Sequence, residues 1–524
     1  MEGRRVRQSF LHHRPSTTPS AAQIRAARLC AHLALKGGDP HTMERPHKLM
    51  ATAMSQGLKI CTVRLDRYSS LPDHIAHHIL SFLTMEDVAR FMVTCKRCRE
   101  LCITSPFLTF NGLSDLCYRP WLHNFQKHNM CMSALDRFFV QRGRRKICNL
   151  SIHCCLRFSR NELSRAITWL RIAAQCYVEV LDLECVLRLA AKFAFPLCLF
   201  TCGSLRSVTV KLNGGVLELP SSLGFTNLQS LSISSVKVFN KCFGEWISSF
   251  CKSLKELRLE SIEEINSINI SSSSLVHFSL ENSSPSELCH LSVGGEKLEV
   301  MNVEWRFNSS SGKSLKIFAP NLKYFSWKGY PTNDNHLGSL MHLKGAQLLL
   351  EPKEDTYENL HHVIHGVSRI EDLTLDDLMT KVLFEQGCLP TCFGNMGRLY
   401  MYVSCLNDDL VPAMVSLIRG MPNLKSISMK SSPPPANTNL QASGFDAGYW
   451  ESQNLTFIHH LQLAEIELFG GKNELGLASF LLKHAKELKK MTIFYSSCLP
   501  QNVRLRLRNC AMASAATVVF QRKM

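Results

Sequence analysis

From residue 178 onward one short pattern returns along the chain: apolar positions at i, i+3 and i+5. It runs through Val178/Leu181/Leu183, Leu205/Val208/Val210, Leu228/Leu231/Ile233, Leu254/Leu257/Leu259, Leu275/Phe278/Leu280 and Leu298/Met301/Val303. It continues at Leu322/Phe325/Trp327, Leu343/Ala346/Leu348, Ile370/Leu373/Leu375, Leu424/Ile427/Met429, Leu463/Ile466/Leu468 and Leu488/Met491/Ile493. Most neighbouring copies start about 21 to 28 residues apart, and the wide gap after Ile370 leaves room for a further copy near Arg398 to Val403. Side chains alternate across a strand, so i+3 and i+5 share a face that one repeat can bury only against the next. Two or three large aliphatics per copy, at about 1.5–3 kcal/mol each, suffice to hold such an array without metals or disulfides. A period of this length indicates leucine-rich repeats. The asparagine that regular repeats carry after the strand is mostly replaced, with Val236, Ile262 and Ser283 in its place, so the expected solenoid is irregular.

Upstream, Asp66 to Phe107 carries a different period. Leu71-Pro72-Asp73 sets a proline in a first helical turn, with a carboxylate at the positive end of the dipole. Ile75, Ile79, Leu80, Phe82 and Leu83 follow at helical spacing, and Thr84-Met85-Glu86-Asp87 offers an N-cap with a carboxylate three residues on. Val88, Ala89, Met92 and Val93 stripe a second helix, and a third runs from Lys96 to a stop at Ser105-Pro106. A unit of three short helices holds a small core and gains stability from a partner.

Leu71-Pro72-Asp73-His74-Ile75-Ala76-His77-His78-Ile79-Leu80-Ser81-Phe82-Leu83-Thr84-Met85-Glu86-Asp87-Val88, with Cys95-Lys96-Arg97-Cys98-Arg99-Glu100-Leu101 after it, resembles the F-box. The match departs at Cys98 and Cys102, where plant members of the family commonly have tryptophan. The stretch from Leu463 to Leu468, then Glu474 to Ile493, reads as strand, helix, strand and resembles the C-terminal FBD module of plant F-box/leucine-rich-repeat proteins. The resemblance implies an α/β chain: a short all-α F-box, then an irregular leucine-rich-repeat solenoid or horseshoe, then an FBD-like module. The expected divisions are a disordered basic extension over 1–60, an F-box over 66–107, repeats over 108–450, the FBD-like module over 451–500 and a tail over 501–524.

The same resemblance implies the substrate-recognition subunit of a Skp-cullin-F-box ubiquitin ligase. The F-box would dock by apolar helix-in-groove contact on a Skp-family adaptor, which in turn holds cullin and RING subunits, while the repeats bind a target protein. The matching positions expected to contact the adaptor are Leu71, Pro72, Ile75, Ile79, Leu80, Leu83 and Val88, of which Ile79 and Val88 equally suit a purely internal role. No catalytic residue, metal or cofactor is expected. A non-degradative scaffold is the alternative, and a nucleic-acid-binding protein a more distant one.

Composition bears on these rivals. The net charge of +17 is concentrated early: residues 1–65 hold 11 Lys/Arg against 3 Asp/Glu, residues 66–146 hold 12 against 7, and 147–524 hold 37 against 33. A nearly neutral repeat region argues against nucleic acid as its ligand. The Arg-rich start also has the character of a transit peptide, and Met43, Met50 or Met54 could serve as a later start. With no recognisable secretory signal, the 22 cysteines are expected to be reduced thiols in the cytoplasm or nucleus, and no apolar run is long enough to span a membrane. Gly312-Lys313-Ser314 lacks the earlier glycine of a phosphate loop, since Phe307 stands there. Cys95, Cys98 and Cys102 share a helix face without the fourth ligand and turn of a zinc site, and His153-Cys154-Cys155 fares no better. Arg142 to Lys146 is the densest basic cluster, read as a solvated loop. Arg206, Lys255, Arg258, His277 and Lys323 are expected on the ligand-facing side of the repeats.

Overall fold

A computed structural model describes residues 71–83, 85–111, 121–157, 160–188, 191–309, 311–338, 340–389, 392–431, 444–468, 472–495 and 501–523. The extension over 1–60 and the Thr84 cap lie outside the described residues. The chain divides into two compact units, Met1–Arg188 with Phe195–Leu205, and Leu189–Ala194 with Arg206–Met524.

The first unit begins with helices α1 (Asp73–Leu80), α2 (Met85–Met92) and α3 (Lys96–Thr104). It continues through strand β1 (Phe107–Phe110), helix α4 (Trp121–Arg142), strand β2 (Asn149–Leu156), helix α5 (Arg160–Gln175) and strand β3 (Val180–Leu187). β1, β2 and β3 are parallel, with Leu108 opposite Leu150 and Leu150 opposite Leu181. Ile147, Leu150 and Ile152 are fully buried at the i, i+3, i+5 spacing, so the pattern begins one copy earlier than Val178. Polar ties join the two long helices: Asp136 accepts from Arg165 Nε at 3.0 Å and from Trp169 Nε1 at 2.7 Å, and buried His128 meets buried Glu162 at 3.3 Å.

In the second unit the strands form one parallel ladder in which each pairs with the next. The i+3 residues lie opposite one another from strand to strand: Val208, Leu231, Leu257, Phe278, Met301, Phe325, Ala346, Leu373, Leu399, Ile427, Ala464, Met491, Val518. The copy with room near Arg398 is present as the strand Arg398–Tyr402, with Met396, Leu399 and Met401 buried. One frame is corrected. Ala464 and Ile466, not Ile466 and Leu468, stand in register with Ile427 and Met429, and Leu461 is the buried leading residue. Leu463 is 45% exposed. The small Ala464 hid the true frame, while Leu463 and Leu468 supplied a false one two residues on.

Behind the ladder the repeats close in two ways. Ser267–Ser271, His290–Gly294, Ser314–Phe318 and Asp334–His336 form a second, four-stranded parallel sheet. Elsewhere helices fill that place, among them Phe243–Phe250, Leu410–Arg419 and Lys472–His484. The signal for the second sheet is the same spacing at Ile265/Ile268/Ile270 and Leu288/Leu291/Val293, interleaved with the ladder copies and all buried. The helix Phe243–Phe250 approaches that sheet so closely that a Cβ on Gly244 would lie 2.2 Å from the Asn269 carbonyl oxygen. A side chain there would force the layers apart.

Residues 501–524, expected as a tail, hold the helix Gln501–Arg508 and the strand Thr517–Arg522, which pairs in parallel with Lys490–Tyr495. The pattern is faint because Ala515 occupies the leading position and only Val518 and Phe520 keep the spacing. Lys523 closes the end, donating to Glu467 Oε2 at 2.9 Å and to the Ser431 carbonyl at 3.0 Å. Fully buried Asn473, at the start of the helix Lys472–His484, donates to Leu406 O at 3.0 Å and Asp408 Oδ1 at 2.8 Å, and accepts from Phe445 N–H at 2.8 Å.

Asp376 caps the helix Asp377–Glu385, accepting from Met379 N–H at 2.8 Å. Burial pushes its carboxyl up to about 7 from 3.8, against the pull of that N–H. The folded state therefore holds the proton better than the unfolded chain. This contribution is fully present below pH 3.8 and is lost as pH rises through about 7. Asp376→Asn keeps an acceptor for Met379 N–H without the charge. Thermal unfolding from pH 4 to 8 is expected to show a variant that gains on the parent by on the order of 2–4 °C at pH 8 and not at pH 4; a pH-independent difference would refute the assignment.

Candidate interaction surfaces

Two surfaces are built here, one on the three short helices and one on the ladder. In the helical segment Pro72 is the N-cap of α1 and its carbonyl accepts from Ile75 and Ala76 N–H, both at 3.0 Å. Asp73 pairs with Arg97 of α3, and that guanidinium holds its carboxyl below the usual range. His77 Nε2 lies 3.1 Å from Thr104 Oγ1, tying the middle of α1 to the end of α3. Around these ties Ala76, Leu80, Leu83, Phe91, Cys98, Leu101 and Cys102 form one core, with Leu71, Phe82, Val88 and Met92 packed at its margin. The two cysteines thus fill the core in place of larger residues, and burial pushes the Cys102 thiol up to about 12.

The expected contact residues separate on this geometry. Leu80 and Leu83 are 5% and 8% exposed and belong to the core. Leu71 and Val88 are half-buried at its margin. Pro72 and Ile75 are exposed and Ile79 is half-buried, so these three line one outward stripe of α1 at i, i+3 and i+7. Ile75 is 41% exposed, an unusual position for isoleucine on a short helix. Leu80 and Leu83 lie in the core, Val88 packs at its margin and Ile79 is half-buried.

Arg142 departs from the solvated-loop expectation. It is 1% exposed, and its guanidinium donates at 2.6 Å to both the Ile103 and Lys146 carbonyls, joining the end of α3 to the end of α4. Burial lowers it to about 10, where it stays charged at neutral pH. Arg144 and Arg145 are exposed, and Lys146 pairs with Glu179 at 2.6 Å.

On the ladder, Arg258 and His277 lie on the solvent face, whereas Arg206, Lys255 and Lys323 sit one residue before their strands, on the rim. The cations are matched by carboxylates on adjoining repeats: Arg258 with Glu281 at 2.8 Å, Lys323 with Glu299 at 2.7 Å, Lys430 with Glu465 at 2.6 Å and Arg398 with Asp372. A cavity of about 850 Å³ opens on the rim between Met341 and Leu463, with Lys344, Arg369, Arg398 and Lys425 facing Glu371 and Asp372. Lys313 is spent internally, its amine bonded to the Leu288 carbonyl and lying 5.4 Å from the centre of the Phe307 ring. Among the described residues no group of three or more His, Cys, Asp or Glu is placed to hold a metal. Cys155 is disulfide-bonded, a departure from the expected uniformly reduced thiols; fully buried on β2, it carries no mark in the sequence that sets it apart. No described helix is long and apolar enough to cross a membrane.

Comparison with known proteins follows this division. The F-box domain matches residues 68–110, the leucine-rich repeats of FBD-associated F-box protein At5g56370 match 166–336, and the FBD matches 456–493. The F-box/FBD/LRR-repeat protein At4g03220 of Arabidopsis thaliana is 30% identical over 86% of this chain and 95% of its own length. The chain belongs to the plant F-box/FBD/LRR-repeat family. Two further Arabidopsis thaliana relatives, F-box/FBD/LRR-repeat protein At5g22610 and FBD-associated F-box protein At5g22730, are 23% and 22% identical over 71% and 82% of this chain, and 73% and 87% of their own lengths. The three helices described above are thus an F-box, followed by a leucine-rich-repeat region and an FBD.

The burial pattern generates a contrast within the F-box. Leu80→Ala should destabilise it by about 2–5 kcal/mol, as for large-to-small changes in a core. Ile75→Ala should cost less than about 1 kcal/mol, being on the surface. Urea unfolding of the two variants checks this, and equal losses would mean that Ile75 is internal after all.

Proposed function

We propose that this protein is the substrate-recognition subunit of a Skp-cullin-F-box ubiquitin ligase. The observation that carries the reading is the outward stripe Pro72, Ile75 and Ile79 on a helix whose neighbouring face, Ala76 and Leu80, already lies in the F-box core. Apolar side chains left in water at helical spacing fit insertion into a partner's groove. Leu71, next to Pro72, and Val88, on α2, are assigned to the same contact, while Leu80 and Leu83 hold the helices that present it. The partner is a Skp-family adaptor, through which cullin and RING subunits are reached.

The repeats over 108–450, stacked as an irregular horseshoe and closed by the FBD-like module over 451–500, bind the target. Cations already matched by carboxylates across the ladder face favour a protein ligand with its own mixed charges over a polyanion. Holding a target beside a ubiquitin-conjugating enzyme turns a bimolecular transfer into one at high effective concentration, which needs no catalytic group in this chain.

The test is co-purification of the full chain with a Skp-family adaptor, comparing Ile75→Asp with the parent and checking by circular dichroism that the variant stays folded. A buried anchor in such a groove is worth at least about 2 kcal/mol, so the variant's Kd should rise about 30-fold or more. Failure of the parent chain to bind would set the ligase reading aside in favour of a non-degradative scaffold.

A further inference from the structure

Cys95 and Cys98 stand together at the start of α3, in a place that the adaptor contact does not use. Cys95 is the N-cap of α3, and its sulfur accepts from Cys98 N–H at 3.3 Å. The two sulfurs are 3.2 Å apart. Cys95 is exposed and Cys98 is buried in the F-box core. The spacing Cys95-Lys96-Arg97-Cys98 puts both thiols in the first turn of a helix, where a negative sulfur faces the positive end of the dipole and exposed Lys96.

A second close pair shows what distinguishes this one. Cys154 and Cys185 lie opposite each other on β2 and β3 with their sulfurs 3.6 Å apart, but both are fully buried and neither sulfur meets solvent. In the α3 pair one sulfur meets solvent and the other lies behind it. That is the arrangement of an attacking and a resolving thiol.

We infer that Cys95 and Cys98 form a redox-active dithiol, oxidised to an intrahelical disulfide by small-molecule disulfides of the glutathione class. The Cys95 thiolate attacks one sulfur of oxidised glutathione, forming a mixed disulfide and releasing one glutathione thiolate. Cys98 then loses its proton to solvent and attacks the Cys95 sulfur, closing the Cys95–Cys98 bond and expelling the second glutathione thiolate. The protein gives up two electrons and two protons, and glutathione disulfide takes up the electrons.

The experiment treats the full chain with oxidised glutathione, blocks remaining thiols with N-ethylmaleimide and digests with trypsin without reduction. Trypsin cuts after Lys96 and Arg97, so the disulfide appears as peptide 91–96 joined to dipeptide 98–99, two hydrogens lighter than their sum. The expected result is this joined peptide in most molecules, while exposed Cys242 and Cys392 carry glutathione or maleimide. Cys95 carrying maleimide or glutathione to the same extent as Cys242, with no joined peptide, would overturn the inference. Cys95→Ser, a good N-cap, should keep the helix by circular dichroism and abolish the joined peptide. Cys98→Ala should raise the stable glutathione adduct on Cys95 at least tenfold over the parent chain, and an equal level would count against a resolving role for Cys98.

Discussion

Everything in the repeat region depends on a register constraint. Parallel strands stacked without slippage place one apolar side chain above the next, so that the i+3 and i+5 residues form continuous buried columns. A shift of one residue in any strand would turn its apolar pair to water and break the column at that point. This explains why the residue types vary freely along a column, from Ala346 and Ala464 to Phe325 and Trp327, while the spacing does not. A small residue in one repeat is offset by a large one in its neighbour, and the column stays filled. It also explains why the back layer can change from helices to a second sheet over Ser267 to His336 without disturbing the front, since the front register is set by strand pairing alone.

In the F-box the corresponding constraint is scarcity. Three helices of eight or nine residues cannot bury all their apolar side chains in one core, and α1 in particular has apolar residues on two faces. Leu80 and Leu83 turn inward, and Pro72, Ile75 and Ile79 remain outside. Polar ties to both ends of α3 compensate for the small core. Asp73 to Arg97 fixes one end of α1, His77 to Thr104 fixes its middle, and Arg142 reaches from α4 to the last carbonyls of α3. A buried guanidinium held by two carbonyls is costly to leave unpaired, which makes this link between the F-box and the helix after it specific. The small side chains of Cys98 and Cys102 fit the same economy of space, and Cys98 brings a second thiol next to the cap.

Much of this was legible in the sequence. The i, i+3, i+5 pattern located nearly all the ladder strands because alternation in a strand and burial between repeats leave a direct imprint on residue type. The proline and acidic residue at the start of α1, and the helical spacing after them, located the F-box helices for the same reason. What the sequence determined by itself is therefore the F-box helices and most of the ladder strands, which depend on local periodicity, and the family, which its F-box and FBD motifs resemble.

The tertiary structure alone decided matters that turn on which neighbours meet. Leu463 and Ala464 could not be assigned to outside and inside from the sequence, because a leucine at a strand start satisfies the pattern whichever way it faces; pairing with Ser426–Lys430 settled it. Ile75 and Leu80 are both aliphatic positions of one helix, and only the packing of α3 against α1 separates a surface residue from a core residue. Arg142 reads as part of a charged loop, and only the fold brings the distant Ile103 carbonyl beside the local Lys146 carbonyl to hold it. The Cys95–Cys98 pair was visible as a spacing, but its meaning rests on one sulfur being exposed, the other buried and 3.2 Å away. Periodicity is a property of one segment and is written in its residues; burial and contact are properties of pairs of segments, and only the assembled fold supplies the second member of each pair.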